Sequence, residues 1–514
     1  MMMLREMAEK YGYLESPRGG FSFPLTPQQN YYIDRSLAGN GIPQITSGTH
    51  IRGPLDVNRL ERAIARLINQ SDCLRVRFKR VDGEIVQQVV SCVDFQLEVR
   101  AASGGTGEER LIDAQRQAII GFKREIDPFS EDQFAFCLHQ IDRNEFLFTF
   151  SMGHALLDGI SMFLLLDRLF RYYNADDSGP YVEEPSFVRY AQWLADFRNS
   201  PAGEQQMDFW DRRHAEIRDL PFAAPGPIAD EQSVGPCEIT FQREVLEAFA
   251  RKERTSTANL LVTALHLALD KVFGVTDSAF TLASANRSHS EFSQVAGLLV
   301  RGVPHQLKVS EGQTCGELLS LCMRHTSELV ANQDLCSMNL TKSAFTSHNF
   351  TQQMTLIPGL EMTPWIPEFH QEYGLLLFEH WNLLDEVRVT FRGDLKIFNT
   401  GQVRQIAEET RVAIQFLMEH LEEPVSGYLA AKSEEMRLNI PERVLSVWLQ
   451  ELQLGRIESD DSFFDLGGNS LIASRVADQL SRDLGIEVAI VDLFEFDTLE
   501  VFTKMIIDKV PTDS

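Results

Sequence analysis

The chain has 514 residues, of which 44% are hydrophobic and 24% charged, and this length predicts about three domains rather than a single core. A formal net charge of −26 disfavours nucleic acid and anionic membranes as partners, because both would repel the protein. There is no apolar signal core at the start and no apolar run near the about 20 residues of a membrane span. Seven scattered cysteines without a CxxC motif predict a cytoplasmic protein with neither a disulfide framework nor a metal site.

The first predicted elements alternate between helix and strand. Residues 1–20 are predicted to be a short charged leader. Apolar residues at helical spacing predict a helix over 56–70, and the alternating segments 73–80 and 84–90 predict paired strands. The glycine-rich segment 102–110 is predicted as a loop and not a phosphate cradle, because no GK[ST] sequence follows it.

The segment SMGHALLDGISMF, residues 151–163, lies between a predicted buried strand (144–152) and a predicted buried helix (159–173). His154 in this loop has one ordinary interpretation and one catalytic one. It is either a satisfied core histidine or a reactive group, since its unperturbed pKa is near neutral pH and strand-to-helix loops commonly hold reactive groups. Asp158 is suited to cap the helix that begins at Gly159.

The later part of the chain divides into two further regions. A boundary is predicted near residue 196, followed by a second mixed stretch with a helix over 257–273 and a strand over 278–286. Residues 429–440 read as a linker, and Pro441 is predicted to open a helix. Residues 441–514 are predicted to form a small acidic helical domain that docks on something basic.

In this last region, Ser470 follows a Gly-Gly-Asn turn and begins an apolar-striped helix. From the local pattern alone it is an ordinary N-cap. The longer string FFDLGGNSLIA (463–473), however, resembles the acyl and peptidyl carrier proteins of nonribosomal peptide and polyketide synthetases. The resemblance implies that Ser470 carries a covalent 4′-phosphopantetheine arm. A helix N-terminus is also a favourable place for the negative charge of its phosphodiester.

The segment GHALLDG resembles the HHxxxDG motif of nonribosomal peptide synthetase condensation domains, a family related in fold to chloramphenicol acetyltransferase. Weaker family blocks follow the same order, at LTPQQNYYI (25–33), CLRVRF (73–78), FVRYAQW (187–193) and VAGLLVRGVPHQL (295–307). The resemblance implies that His154 is the catalytic histidine and that Asp158 is structural. It also implies that Asp158 forms a salt bridge with Arg287 on the other lobe. A backbone N–H near Gly159 is positioned to meet an oxyanion at the helix start.

Two positions depart from the family pattern. Gly153 stands where the first histidine of the pair is expected, and Arg301 replaces the asparagine of the FVNT block. The second change suggests a substrate that bears a carboxylate. Heterocyclisation domains are excluded because they carry DxxxxD at this motif. Epimerisation domains are excluded because they carry an EGHGR-like block, which this sequence lacks, and because they follow a carrier.

The resemblance implies an α/β fold of two chloramphenicol-acetyltransferase-like lobes in a V shape, at 21–195 and 196–428, followed by a small four-helix carrier domain at 441–514. It implies amide bond formation between a carrier-bound acyl thioester and an amine held on the fused carrier. The expected partners are an upstream donor carrier, an adenylation enzyme acting in trans and a phosphopantetheinyl transferase. Two alternatives stay open: an ester-forming or releasing acyltransferase for a small soluble acceptor, and a non-catalytic docking scaffold with a working carrier.

Overall fold

A computed structural model describes residues 21–122, 126–131, 133–175, 184–217, 237–310, 312–336, 343–349, 355–365, 376–383, 385–393, 400–452, 454, 456–484 and 488–509. The predicted leader at 1–20 lies outside these residues. The chain forms two compact units. The first comprises Met1–Asp219, Ala279–His305 and Thr326–Arg388, and the second comprises Leu220–Ser278, Gln306–His325 and Val389–Ser514. The first unit thus continues past residue 196 and takes up two later segments of chain.

The first unit contains a five-stranded sheet of order β12-β2-β7-β6-β5 and a three-stranded sheet of order β1-β4-β3. Strand β7 lies at the middle of the larger sheet, antiparallel to β2 and β6. The strands are β1 (Phe21–Phe23), β2 (Gln44–Arg52), β3 (Val76–Val81), β4 (Glu84–Val89), β5 (Glu98–Ala101), β6 (Phe134–Asp142), β7 (Glu145–Gly153) and β12 (Glu361–Trp365).

The helices of the first unit are α1 (Pro27–Arg35), α2 (Val57–Gln70), α3 (Gly107–Phe122), α4 (Gly159–Ala175), α5 (Phe187–Arg198) and α6 (Pro201–Glu216). The predicted apolar face of α2 is confirmed, because its five apolar positions are buried: Leu60, Ala63, Ile64, Leu67 and Ile68. Each fully buried leucine or isoleucine contributes about 1.5–3 kcal/mol. Most buried apolar residues of α2, β7 and α4 belong to one core, which fixes the loop that carries His154.

A third sheet, of six strands, has the order β10-β9-β11-β13-β14-β8, and the division between the two units cuts through β9, β10 and β14. Strand β11 is parallel to β9 and to β13. These strands are β8 (Cys237–Gln242), β9 (Asp277–Ser284), β10 (Arg301–Lys308), β11 (Ser343–Asn349), β13 (Leu376–Asn382) and β14 (Glu386–Gly393).

The helices of the second unit are α7 (Arg243–Lys252), α8 (Thr257–Phe273), α9 (Cys315–Ala331, continuing into the first unit), α10 (Thr400–Glu419), α11 (Val425–Leu452), α12 (Ser470–Leu484), α13 (Ile490–Glu495) and α14 (Leu499–Lys509). Residues 429–440, which the sequence predicts as a linker, lie inside α11, and Pro441 lies within this helix rather than at its start. Within the described residues, the end of α11 and helices α12 to α14 pack around their own core, centred on Trp448, Phe463 and Phe502.

This arrangement confirms the predicted mixed α/β class with a small helical domain at its C-terminal side; the V shape stays a prediction. No helix in the described part of the chain combines the length and hydropathy of a membrane span. Nor do the described residues include a cluster of three or more His, Cys, Asp or Glu side chains suited to a metal ion.

Candidate active site and carrier serine

His154 lies directly after β7, in the short loop that leads into α4. Its backbone N–H donates to the carbonyl of Pro43 at 2.8 Å, so the end of β7 is tied to the segment before β2. The imidazole Nδ1 lies 2.9 Å from the carbonyl oxygen of Leu157. A carbonyl oxygen only accepts hydrogen bonds, so Nδ1 carries the proton and Nε2 holds the free lone pair of the neutral ring.

Burial lowers the pKa of His154 below its ordinary value, because the interior disfavours the charged imidazolium. The negative charge of Asp158 and the hydrogen bond to Leu157 oppose this effect without cancelling it. The ring is therefore neutral at physiological pH with Nε2 unprotonated. That is the form a general base requires.

Asp158 is 2% exposed and its carboxylate accepts five hydrogen bonds. Oδ1 accepts from the backbone N–H of Ser161 at 2.8 Å, which is the N-cap contact of α4, and from Nη2 of Arg287 at 3.0 Å. Oδ2 accepts from Nη1 of Arg287 at 3.1 Å and from the backbone N–H groups of Leu299 and Val300 at 2.9 and 3.0 Å. Asp158 thus caps the helix and pairs with Arg287, and both partners belong to the first unit.

Burial acts to raise the pKa of Asp158, but the charge of Arg287 and the hydrogen bonds outweigh it and hold the pKa below its ordinary value. The carboxylate is therefore ionised, and both of its oxygens accept hydrogen bonds from neighbouring groups. Its geometry is that of a structural anchor, and no hydrogen bond joins it to the ring of His154 among those that the described residues form.

Ser161 belongs to the same cluster and does not stand out in the sequence. Its hydroxyl donates to the carbonyl of Gly297 at 2.6 Å and accepts from the N–H of Gly297 at 2.9 Å and from Nη2 of Arg287 at 2.8 Å. A side chain at Gly297 would place its Cβ 2.0 Å from the ring of Phe187, so only glycine fits there. Ser161 is fully buried, and its role depends on contacts with a distant segment that no local sequence pattern indicates.

Gly159 is the first residue of α4, and a Cβ built there would meet no atom within 4 Å. The space beside this backbone is open. A reacting group thus has room to approach the start of the helix, where the dipole is positive and where Asp158 already accepts from the N–H of Ser161.

Gly153, at the position of the missing first histidine, lies opposite Gln44 in the β2–β7 ladder. A Cβ built there would lie 3.5–3.6 Å from the side chains of Ile42 and Ile126, which are both buried. The space on this side is thus lined by two branched apolar residues, and a larger ring would have to displace them.

Arg301 is fully buried, and its charge is directed into the first unit. Nε donates to the carbonyl of Asp334 at 3.0 Å, and Nη2 donates to the hydroxyl of Tyr190 at 2.9 Å. Burial lowers its pKa, opposed by nearby Tyr190, Cys336 and Asp334. With no exposed surface, the guanidinium is not presented to a substrate, so this geometry does not support the carboxylate-bearing substrate suggested by the sequence.

Ser470 begins α12 and is exposed. The capping oxygen comes from Asn469, whose Oδ1 accepts from the backbone N–H groups of Leu471 and Ile472 at 3.0 and 3.1 Å. The serine hydroxyl is therefore not the helix cap, and the neighbouring Leu471 side chain is 68% exposed. An exposed hydroxyl at a helix start fits a phosphodiester-linked group that a modifying enzyme must reach.

The turn before Ser470 depends on two glycines and a buried ring. Gly467 has a φ of +98°, and a Cβ at Gly468 would lie 2.4 Å from the ring of Phe463. Phe463 is fully buried and its backbone N–H donates to the carbonyl of Asp497 at 2.7 Å. These contacts hold the loop so that Ser470 faces outward.

A family model described as the condensation domain matches residues 22–358, and one described as the phosphopantetheine attachment site matches residues 442–506. The fold and these matches define an α/β condensation domain followed by a carrier domain. The chain belongs to the condensation domain family, and its C-terminal part is a phosphopantetheine attachment domain, as the resemblance implied.

Similar curated proteins are multidomain synthetases. Gramicidin S synthase 2 of Brevibacillus brevis is 25% identical over 422 residues, which cover 75% of this chain and 9% of that protein. Surfactin synthase subunit 1 of Bacillus subtilis is 24% identical over 321 residues, which cover 61% of this chain and 9% of that protein. The chain therefore spans less than a tenth of the length of these relatives.

Solved structures agree on the fold. The starter condensation domain of rhizomide synthetase has a TM-score of 0.65 at 15% identity, covering 79% of this chain and 96% of that one. The X-domain from teicoplanin biosynthesis has a TM-score of 0.67 at 17% identity, covering 78% and 96%. These similarities confirm the chloramphenicol-acetyltransferase-like architecture of the larger region.

Proposed function

We propose that the protein forms an amide bond between an acyl group, delivered as a thioester on a separate donor carrier, and an amine held on its own carrier domain. The observation that carries this proposal is the setting of His154: Nδ1 lies 2.9 Å from the carbonyl oxygen of Leu157, which leaves the lone pair of a neutral ring on Nε2, and burial lowers the pKa of the ring. Family membership supports the reaction class.

In the proposed reaction, the neutral amine attacks the thioester carbonyl, a C–N bond forms and the C–S bond breaks. Nε2 of His154 accepts the proton that the amine loses, and this proton then passes to the departing thiolate. Gly159 contributes open space and the N-terminal end of α4 next to the oxygen that becomes negative. Holding both reactants in place supplies much of the rate, so His154 orients the amine as well as accepting its proton.

We propose Asp158 and Arg287 as structural residues. The carboxylate joins the start of α4 to the segment 287–300 and makes no hydrogen bond to the imidazole. Its role is thus to fix the loop that positions His154.

We propose Ser470 as the residue that bears the 4′-phosphopantetheine arm, which supplies a flexible thiol for holding the acceptor as a thioester. Its exposure and the capping by Asn469 support this assignment. The carrier region follows the condensation region along the chain, and tethering of this kind gives effective concentrations of about millimolar. Both points favour the fused carrier as acceptor.

The proposed partners are an upstream donor carrier, an adenylation enzyme that loads the acceptor in trans, and a phosphopantetheinyl transferase. The scattered cysteines without a CxxC motif support the proposal of a reducing, cytoplasmic location.

The test is a reconstituted condensation. The full chain, with its arm attached and chemically loaded with an aminoacyl group, is mixed with an acyl-loaded donor carrier, and the species on Ser470 are read by mass spectrometry. The proposal expects the acyl-aminoacyl product on Ser470, and a loss of about 10²–10⁴-fold in rate for His154→Ala.

Other outcomes identify the alternatives. Transfer of an acyl group from Ser470 to a free amine or alcohol, with an aminoacyl group there inert, would indicate a releasing or ester-forming acyltransferase. No condensation above the uncatalysed rate in the parent, with normal arm attachment, would indicate a docking scaffold, whereas equal catalysed rates for the parent and His154→Ala would show that positioning suffices without the imidazole.

A further inference from the structure

The imidazole of His154 has a second neighbour, which the proposed reaction does not assign. The ring of Tyr32 in α1 stacks on it, with ring centroids 4.7 Å apart and planes 20° from parallel. Tyr32 is 6% exposed. The hydrogen bond to Leu157 holds one edge of the imidazole, and the phenol ring covers one face.

Helix α1 is itself held firmly in place. Thr26 and Gln29 form a reciprocal capping box, in which the N–H of Gln29 donates to Oγ1 of Thr26 and the N–H of Thr26 donates to Oε1 of Gln29. Nε2 of Gln29 donates to Oε1 of Gln87 in β4 at 3.0 Å, and Nε2 of Gln28 donates to the carbonyl of Cys336 at 3.2 Å. These bonds are buried, so the position of Tyr32 is set by the fold rather than by its own side-chain packing alone.

We propose that Tyr32 is a positioning residue that fixes the plane of the His154 imidazole, so that the free Nε2 lone pair points at the attacking amine. A histidine bonded at Nδ1 alone retains freedom to tilt about that bond. A parallel aromatic ring removes the tilt, because offset stacking is attractive and a clash prevents rotation toward the phenol. The inference rests on the proposed role of His154 as the base.

The test compares Tyr32→Leu and Tyr32→Phe in the reconstituted condensation. Tyr32→Phe keeps the stacked ring and is expected to retain at least half of the parental kcat. Tyr32→Leu removes the ring and is expected to lower kcat about tenfold, with KM for the donor carrier within twofold, since a stacking interaction of this kind is worth up to about a factor of ten.

The matched control is Phe136→Leu, which removes a 4% exposed ring from the core of the same unit. The aromatic neighbours of Phe136 are Phe95, Phe134, Phe148 and Phe150. This variant is expected to lose as much thermal stability as Tyr32→Leu and to keep its kcat. Tyr32→Met replaces the leucine variant if the latter does not fold, because the unbranched, flexible methionine side chain fills an irregular gap better without supplying a ring.

A kcat for Tyr32→Leu within twofold of the parent would overturn the inference. Equal losses of kcat in Tyr32→Leu and Phe136→Leu would do the same, since both would then reflect general loosening. If His154→Ala is fully active, the proposed base fails, whatever Tyr32 does. If His154→Ala is inactive and Tyr32→Leu is active, the inference about Tyr32 alone fails.

Discussion

The guanidinium of Arg287 donates one hydrogen bond to each carboxylate oxygen of Asp158, at 3.1 and 3.0 Å, with both side chains less than a tenth exposed. The two residues are 129 positions apart in the chain. This buried pair connects the loop of His154 to the segment after β9, so the base depends on a contact that is remote in sequence.

Removal of either partner is therefore expected to destabilise the protein. Asp158→Ala removes the ionic partner of buried Arg287 and the acceptor of three backbone N–H groups, and the expected loss is about 3–5 kcal/mol in the free energy of unfolding. Arg287→Ala is expected to lose a similar amount. Urea unfolding measures both values. Glu98→Ala is the control, because its ion pair with Arg100 is about half exposed and is worth about 0–1 kcal/mol. A stable but inactive Asp158→Ala would contradict the structural role.

Two buried histidines predict a loss of stability in mild acid. Burial lowers the pKa of His139 and of His380 to about 4 in each case, whereas an unfolded histidine titrates near 6.5. The unfolded state thus binds more protons between these two pH values. The stabilising contribution of the two neutral histidines is therefore complete above about pH 6.5 and is lost as the pH falls toward 4. Melting temperatures of the parent and of His139→Gln, measured from pH 7 to pH 5, are expected to differ less at pH 5 than at pH 7. A gap that widens with acid would contradict this.

The rate of condensation is expected to follow the titration of His154. Because burial lowers its pKa, the acidic limb of kcat/KM is expected below the ordinary histidine value of about 6.5. A weakly basic acceptor amine keeps its own ionisation out of this range. In His154→Ala the residual kcat/KM is expected not to fall with acid in this range. If the decrease persists in this variant, the titration of another group causes it.

The packing around Gly153 predicts how large a side chain this position accepts. Gly153→Ala is expected to fold with little change, since its Cβ makes ordinary contacts with Ile42 and Ile126. Gly153→His, which creates the residue pair of the family motif, is expected to cost about 1–3 kcal/mol through overpacking. The double variant Gly153→His/Ile126→Ala is expected to regain part of that loss in thermal melts. If Gly153→His is as stable as the parent, the space is not filled as described.

At the carrier, Ser470 and Asn469 are expected to separate modification from helix capping. Ser470→Ala is expected to melt like the parent and to gain no arm when treated with coenzyme A, Mg²⁺ and a phosphopantetheinyl transferase. Asn469→Ala loses the cap of α12 and is expected to cost about 1 kcal/mol, whereas Asn469→Asp keeps it. Intact-mass spectrometry and thermal melts read the two effects. Arm attachment in Ser470→Ala would exclude Ser470 as the attachment site.

The sequence predicted the elements around the site because local patterns determine them. The strand before His154, the helix after Gly159 and the helix at Ser470 follow from apolar spacing and capping residues. The family motifs added the pairing of Asp158 with Arg287, which spacing alone does not show.

Contacts between distant segments were not predictable in this way. The stack of Tyr32 on His154 and the bonds of Ser161 to Gly297 depend on tertiary packing, and neither residue has a local signature. The charge of Arg301 was misleading for the same reason, since only its surroundings reveal that it is buried. After residue 219 the chain re-enters the first unit twice. Amino-acid composition along the chain does not predict such crossings.

The carboxylate of Asp158 receives backbone N–H groups from Ser161 on one side and from Leu299 and Val300 on the other. None of these three amide protons becomes accessible to solvent while its hydrogen bond to the carboxylate persists. Because all three share one carboxylate, we expect their exchange with deuterium to report a common opening of both segments, although Ser161 and Leu299 are far apart in the chain. On this expectation, the start of α4 and the end of the 287–300 segment unfold locally as one unit.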